Sequence, residues 1–239
     1  MSHPPARIEA FGDAAVLVTL GGALDAGLNR RARGLATAVE ARRSAGARVG
    51  RAVAAHGGVL VPFDPLELAP SDARALLADL VAAIGAAAGG PEAGTGAAEA
   101  GTEDPGTGTF RLHEIPVRYG GEDGPDLDAT ADLLGLTSRG LVEVHAGTTY
   151  EVLFLGFAPG FGYLGHLPGT LEAPRLEAPR PRVAAGSVAI AGRQTAVYPF
   201  ALPGGWRLIA RTETPVWDVR RDPPALFAPG DRVRFIALP

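Results

Sequence analysis

Residues 154–212 constrain the fold more than any other part of the chain. They open FLGFAPGFGYLGHLP and continue through RPRVAAGSVAIAGRQTAVYPFALPGGWRLIART. Glycine, proline and aromatic residues alternate there more closely than a helix or an ordinary sheet core requires. Glycine permits a positive φ and a close backbone approach, while proline fixes φ. Interleaved with Phe157, Phe161, Tyr163, Tyr198 and Trp206, these residues describe tight turns that hold aromatic rings against a cleft. The same composition also suits a β-barrel whose corners need glycine.

A chain of 239 residues, 46% of them hydrophobic, can build one or two cores. Residues 85–109 carry no large apolar side chain, so they cannot offset the entropy of ordering and are expected to form a flexible Gly/Ala/Pro linker. This divides the chain into residues 1–84 and 110–239. The first part reads as βαββα. A strand is expected over 14–20, and a helix follows Asp25 through Leu28, Ala32, Leu35 and Val39. Short strands over 49–54 and 59–63 flank His56-Gly57-Gly58, and Ser71 is the expected N-cap of a helix buried through Leu77, Leu80, Val81 and Ile84. FRLHEIPVRY, from beyond the linker, is expected to complete a ferredoxin-like βαββαβ unit. After Tyr119, two short helices over 126–134 and 138–145 precede the runs YEVLFLGF, SVAIA, TAVY, WRLIAR, PVWDV and RVRFIAL, the last launched by a turn at Pro229-Gly230-Asp231. Short strands with glycine corners point to a small closed barrel and an α+β chain.

Composition removes several function classes. The net charge of −4 without a basic block argues against nucleic acid as a partner. No apolar run is long enough to span a membrane and the first residues lack a signal-like apolar core, so a cytoplasmic location is expected. The chain has no cysteine, and all 22 basic residues are arginine. Thiol nucleophiles, Schiff-base lysines, a Walker-A lysine and a biotinyl-lysine are therefore excluded on this chain. GxSxG, HExxH and GxGxxG do not occur, and His3, His56, His113, His145 and His166 lack metal-ligand spacing, so no metal is expected. No self-contained catalytic set is legible.

The multi-residue motifs carry more. Tyr119-Gly120-Gly121, Gly124-Pro125-Asp126-Leu127, His145 and LGFAPGFGYL come first; the Pro181-Arg182 and Gly186-Ser187 region, then Gly192 with Gln194-Thr195, follow. Tyr198-Pro199, Pro203-Gly204-Gly205-Trp206 and Arg211-Thr212 complete the series. In this order, and over most of the chain outside the linker, they resemble the KipI/PxpB family, also called allophanate hydrolase subunit 1 or the first half of a urea-carboxylase carboxyltransferase domain. The resemblance implies a two-domain α+β protein whose C-terminal domain is a cyclophilin-like β-barrel. It implies a B subunit of ATP-dependent 5-oxoprolinase, sharing a composite cleft with a homologous C subunit and working with an A subunit of the LamB/YcsF type. ATP is then used by the complex and not necessarily held by this chain. Alternatives within the family are an inhibitor of a sporulation-type histidine kinase, and a carboxyltransferase half working with a biotin carrier. Arg193 departs from the small residue usual before Gln-Thr, and the linker is longer than the family needs.

Within these motifs, Arg182 and Arg211 can grip a carboxylate through paired charge-assisted hydrogen bonds, or sit in structural salt bridges. Ser187, Gln194 and Thr195 can bond a lactam or urea, or satisfy barrel-corner backbone. Tyr163, Tyr198 and Trp206 can line a pocket or fill a core. His145, near a helix end, can act as an acid or base or cap the helix.

Overall fold

A hairpin opens the fold: β1 (Arg7–Ala10) and β2 (Ala15–Thr19) pair antiparallel, turning where Gly12 adopts φ +66°. The computed structural model describes residues 6–22, 25–87 and 110–239. These residues divide into two compact units, split between Thr109 and Phe110.

In the first unit, α1 (Ala26–Ser44) begins at Asp25, whose carboxylate accepts the Leu28 N–H at 2.8 Å, an ordinary N-cap. Leu28, Ala32, Leu35 and Val39 form its buried stripe, as their spacing predicts. β3 (Val53–Ala55), β4 (Gly58–Pro62) and α2 (Pro70–Ala87) follow. The sheet runs β1-β2-β4-β3, antiparallel throughout, and buries Val16, Val18, Val59 and Val61 on alternate positions. This is the strand order of a ferredoxin-like split βαβ sheet, with β1 in the place of the fourth strand. The expectation that FRLHEIPVRY supplies that strand is therefore corrected. A hairpin closes a few residues of chain, and the edge is already filled by β1. Ser71 is not the cap either: α2 starts at Pro70, whose missing N–H suits the first helical position. The helix runs three residues into the stretch expected to be linker, and residues 88–109 of that stretch lie outside the described residues.

The second unit holds β5 (Leu112–Tyr119), α3 (Leu127–Leu133), α4 (Ser138–Ala146), β6 (Thr149–Leu155) and β7 (Gly162–Gly165). Then come β8 (Arg180–Val183), β9 (Ser187–Ala191), β10 (Gln194–Val197), β11 (Leu202–Gly204), β12 (Arg207–Arg211) and β13 (Arg232–Ala237). Seven strands close into a barrel in the order β10-β7-β6-β13-β5-β12-β9, while β8 and β11 pair separately. FRLHEIPVRY is thus a barrel strand, running parallel to β13, and every other barrel pairing is antiparallel. Ile115, Val117, Tyr150, Val152, Leu164, Val188, Ile190, Val197, Ile209, Val233 and Phe235 fill the interior. PVWDV forms no strand; Trp217 makes a single bridge to Ala225. Pro215 starts that run, and Pro223 and Pro224 immediately precede its bridge partner, so a ladder has few N–H donors to use.

Two glycines of the motif after β5 test this geometry. A Cβ on Gly124 would lie 2.0 Å from the Ile209 carbonyl oxygen, whereas one on Gly121 meets nothing within 4 Å and suffers only from φ +53°. Gly121→Ala is expected to cost about 1 kcal/mol and Gly124→Ala about 3 kcal/mol, because backbone must move. Chemical-denaturation midpoints of the two variants check the order.

Candidate functional site

Strands β9 and β10 present large side chains to the barrel interior and small ones outward. Val188, Ile190 and Val197 point in, while Ala189, Ala191 and Ala196 belong to a second apolar cluster on the outer face. The space above these alanines is filled by rings. Phe161 is the hub, edge-to-face with Tyr163 at 5.0 Å, Tyr198 at 5.3 Å and Trp206 at 5.8 Å. Tyr163 also stacks on Phe154 at 4.4 Å and meets Trp206 at 5.8 Å. Gly160 makes this possible: it has φ +77°, and a Cβ there would sit 2.8 Å from Trp217 Cβ. Phe157 adopts φ +68° and stands 62% exposed at the rim, edge-on to Phe161. The three aromatics singled out from the sequence thus form one cluster, with Tyr163 half-buried at its edge.

Around the phenols lie polar groups. A Cβ on Gly204 would meet the Tyr198 hydroxyl at 2.1 Å, so only glycine lets this ring approach the β8–β11 pair. Burial raises the pKa of both Tyr198 and Tyr163, and Arg175 opposes that in each case. Tyr198 also feels the Trp206 main-chain hydrogen bond and Arg180. In the β8–β11 register Gly204 stands opposite Arg180, whose charge acts on the phenol. Arg180 Nη2 donates to Asp126 Oδ1 at 2.6 Å, and Asp126 Oδ2 accepts the Leu208 N–H at 2.7 Å. Asp126 occupies the N-cap position of α3 yet makes no cap bond with its side chain; its carboxylate ties α3, β12 and β8 together. Arg180 Nη1 is buried without a hydrogen-bond partner, and so is Nε2 of Gln194, a residue only 8% exposed.

The other sequence-selected residues lie elsewhere. His145 is sealed inside the barrel, stacked on Phe235 at 4.8 Å. Thr195 donates its hydroxyl proton to the Ala189 carbonyl at 3.0 Å, so its oxygen accepts His145 Nε2–H at 3.0 Å. Nδ1 is then the acceptor for the Tyr119 hydroxyl at 2.7 Å. Each proton is used once, which fixes the tautomer. Tyr150 donates to the His145 carbonyl at 2.9 Å. Burial pushes the imidazole down to about 3, so it is neutral and out of reach of solvent. The acid/base and helix-cap readings of the His145 ring are both corrected, and Thr195 faces the same interior rather than a ligand. Arg211 lines a different cleft of about 430 Å³ with Arg118, Asp123, Gly186, Tyr198 and Glu213. Ser187, opposite Arg211 in the β9–β12 register, is buried beside it. Arg118 pairs with Glu213 at 3.0 Å. Arg182 and Arg193 are exposed, on β8 and at the β9–β10 turn.

The sequence singled out the rings and Gln194 and passed over Arg175 and Arg180, which act electrostatically on the Tyr198 phenol, and Asp126, which holds Arg180. Asp126 was visible as part of the Gly124-Pro125-Asp126-Leu127 motif; Arg180 carried no local signal that sets it above Arg182. No group of three or more His, Asp or Glu side chains suited to a metal occurs among the described residues, and no described helix is long and apolar enough to cross a membrane.

A closed barrel with an aromatic, donor-bearing outer face, joined to a split βαβ unit, defines the class. The sequence matches the family described as carboxyltransferase domain, subdomain C and D, over residues 6–227, and the chain belongs to that family. It is 54% identical over 126 residues to the B subunit of 5-oxoprolinase from Escherichia coli O157:H7, a match covering 53% of this chain and 58% of that protein. The chain thus spans little more than half the length of this curated relative. The crystal structure of TTHA0988 is 35% identical, with a TM-score of 0.74 over 94% of this chain and 40% of that one. Urea carboxylase of Kluyveromyces lactis shares the fold, with a TM-score of 0.75 at 19% identity, over 98% of this chain and 22% of that one.

The interior imidazole sets a pH dependence. Its folded pKa lies below the ordinary 6.5, so the unfolded chain binds the extra proton. Its contribution is fully present above pH 6.5 and is lost as pH falls toward about 3, at up to about 1.4 kcal/mol per pH unit. Urea-denaturation midpoints between pH 8 and 5 are expected to fall more steeply for the wild type than for His145→Gln. Nitrogen NMR is expected to show an Nε2–H tautomer that does not titrate in that range.

Proposed function

We propose that this chain is the B subunit of an ATP-dependent 5-oxoprolinase, which adds water across the lactam of 5-oxoproline to release glutamate. The observation that carries this reading is the 54% identity to a protein named as the B subunit of 5-oxoprolinase. The outer face agrees with a subunit role. It carries a packed aromatic cluster and buried hydrogen-bond donors, yet the one histidine among the sequence-selected residues is neutral and sealed inside the barrel. A lactam is a poor electrophile, and its opening needs activation that this face does not supply by itself. We therefore place the chemistry in a composite cleft, shared with a homologous C subunit and served by an A subunit of the LamB/YcsF type. ATP supplies the driving force within the complex. The match of this chain to only 40% of the TTHA0988 chain supports a unit that works beside further domains.

The family match and the urea-carboxylase fold favour one second reading, a carboxyltransferase half that works with a biotin carrier supplied by another chain.

Reconstitution separates them. Glutamate release from 5-oxoproline and ATP is expected only when this chain and its A and C partners are combined, falling to background when any one is omitted. Undiminished turnover without this chain refutes the proposal. An assembled complex that releases no glutamate but transfers the carboxyl group of a carboxylated biotin carrier to urea establishes the second reading.

A further inference from the structure

Arg118 and Arg211 stand directly opposite each other in the β5–β12 register. Both are exposed on the outer face of the barrel, since Val117 and Ala210 beside them are buried in its core. Like charges placed opposite one another repel and weaken the pairing. Glu213 offsets one of them, meeting Arg118 at 3.0 Å, while the Arg211 side chain has no ion-pair or hydrogen-bond partner among the described residues. Both arginines line one cleft of about 430 Å³, within the range of about 300–1,000 Å³ usual for small-molecule sites. Asp123 lines the same cleft, and its carboxylate also has no partner among the described residues. An unmatched cation and an unmatched anion therefore share one space without closing into an ion pair. Their separation is set by backbone. The turn that carries Asp123 is tied to β12 at both ends: the Gly120 N–H donates to the Ile209 carbonyl at 3.1 Å, and the Asp126 N–H to the Leu208 carbonyl at 2.9 Å. On the far side of Arg211, the Thr212 N–H donates to the Gly186 carbonyl at 2.9 Å, and a Cβ on Gly186 would lie 2.1 Å from the Thr212 carbonyl oxygen.

We infer that this cleft binds the head group of an α-amino acid, its carboxylate on Arg211 and Arg118 and its ammonium on Asp123. Guanidinium groups grip a carboxylate through charge-assisted hydrogen bonds, and the Asp123 carboxylate accepts from an ammonium in the same way. A carboxylate between the two arginines also relieves their repulsion. A simple anion would leave Asp123 unmatched, and a simple cation would leave Arg211 so. The charged groups on the wall, Arg118, Arg211, Asp123 and Glu213, sum to zero, which suits a zwitterion. The site requires nothing of the proposed function, whose product, glutamate, is one amino acid of this class.

Calorimetric titration of the full chain compares L-glutamate, L-glutamine and L-alanine with N-acetyl-L-glutamate, which lacks the ammonium, and with the α-amide of glutamate, which lacks the α-carboxylate. The three amino acids are expected to bind, and the two blocked compounds to bind at least about tenfold more weakly than glutamate. 5-Oxoproline, a carboxylate without an ammonium, is expected to behave as N-acetylglutamate does. Arg211→Gln is expected to weaken glutamate binding about tenfold while the thermal midpoint of the ligand-free chain stays equal or rises, because a like-charged neighbour is gone; loss of a structural arginine would lower it. Asp123→Asn is expected to abolish the preference for glutamate over N-acetylglutamate. No binding of any of the three amino acids, binding unchanged in folded Arg211→Gln and Asp123→Asn, or 5-oxoproline or N-acetylglutamate binding the wild type as tightly as glutamate overturns the site. Turnover by the reconstituted complex without amino-acid binding to this chain overturns the site and leaves the proposed function standing; binding with the expected dependence on Arg211 and Asp123, but no turnover, does the reverse.

Discussion

The neutral imidazole of His145 joins more of the second unit than any other side chain. Through Tyr119 it reaches β5, through Thr195 it reaches β10, and Thr195 passes the chain of hydrogen bonds to the Ala189 carbonyl on β9. The ring is stacked on Phe235 of β13, and the Tyr150 hydroxyl of β6 holds its carbonyl. One helix end is thereby fastened to five barrel strands. A satisfied polar network of this kind gives the interior a unique arrangement, since any slip would strand a donor or acceptor in an apolar core.

A plugged barrel has a structural consequence. Small barrels are filled by their own side chains, and this one is filled mainly by aliphatic residues, with Tyr150, Phe235 and the histidine among them. On the outer face β9 and β10 carry small alanines, and Phe161, Tyr163, Tyr198 and Trp206 pack over them. The same alternation that places large residues inside leaves room outside for this second cluster. Asp126 then links this face back to the scaffold by holding Arg180 and the Leu208 amide together. The unmet donors and the strained, exposed Phe157 are local departures from good packing, of the sort that well-folded proteins retain where something else must bind.

Helical periodicity made α1, α2, α3 and α4 readable, since each needs only its own side-chain spacing and a cap. The barrel was readable as a class from its short strands and glycine corners. Individual short strands were harder. β7, β8 and β11 consist largely of glycine, proline and arginine, residues with no strand preference, and they are strands because neighbours supply their hydrogen bonds. PVWDV differs for the converse reason: its residues favour a strand, but no ladder forms beside it. The first unit shows how pairing overrides expectation, because β1 takes the edge expected for FRLHEIPVRY.

The sequence by itself determined the ingredients: a chain without thiols or lysines, two α+β parts, and a glycine-aromatic segment suited to tight turns around rings or to the corners of a barrel. It grouped Tyr163, Tyr198 and Trp206 as rings of one segment, and the structure brings these three together with Phe161. Tertiary structure alone decided which way each polar residue faces. Thr195 and Gln194 are adjacent in sequence yet lie on opposite sides of one barrel wall, the first bonded to His145 and the second with an unmet donor. A strand reverses its face at every residue, and closure into a barrel settles which face is sealed. Closure depends on pairings between residues as far apart as Leu112 and Arg232, and no local pattern encodes them.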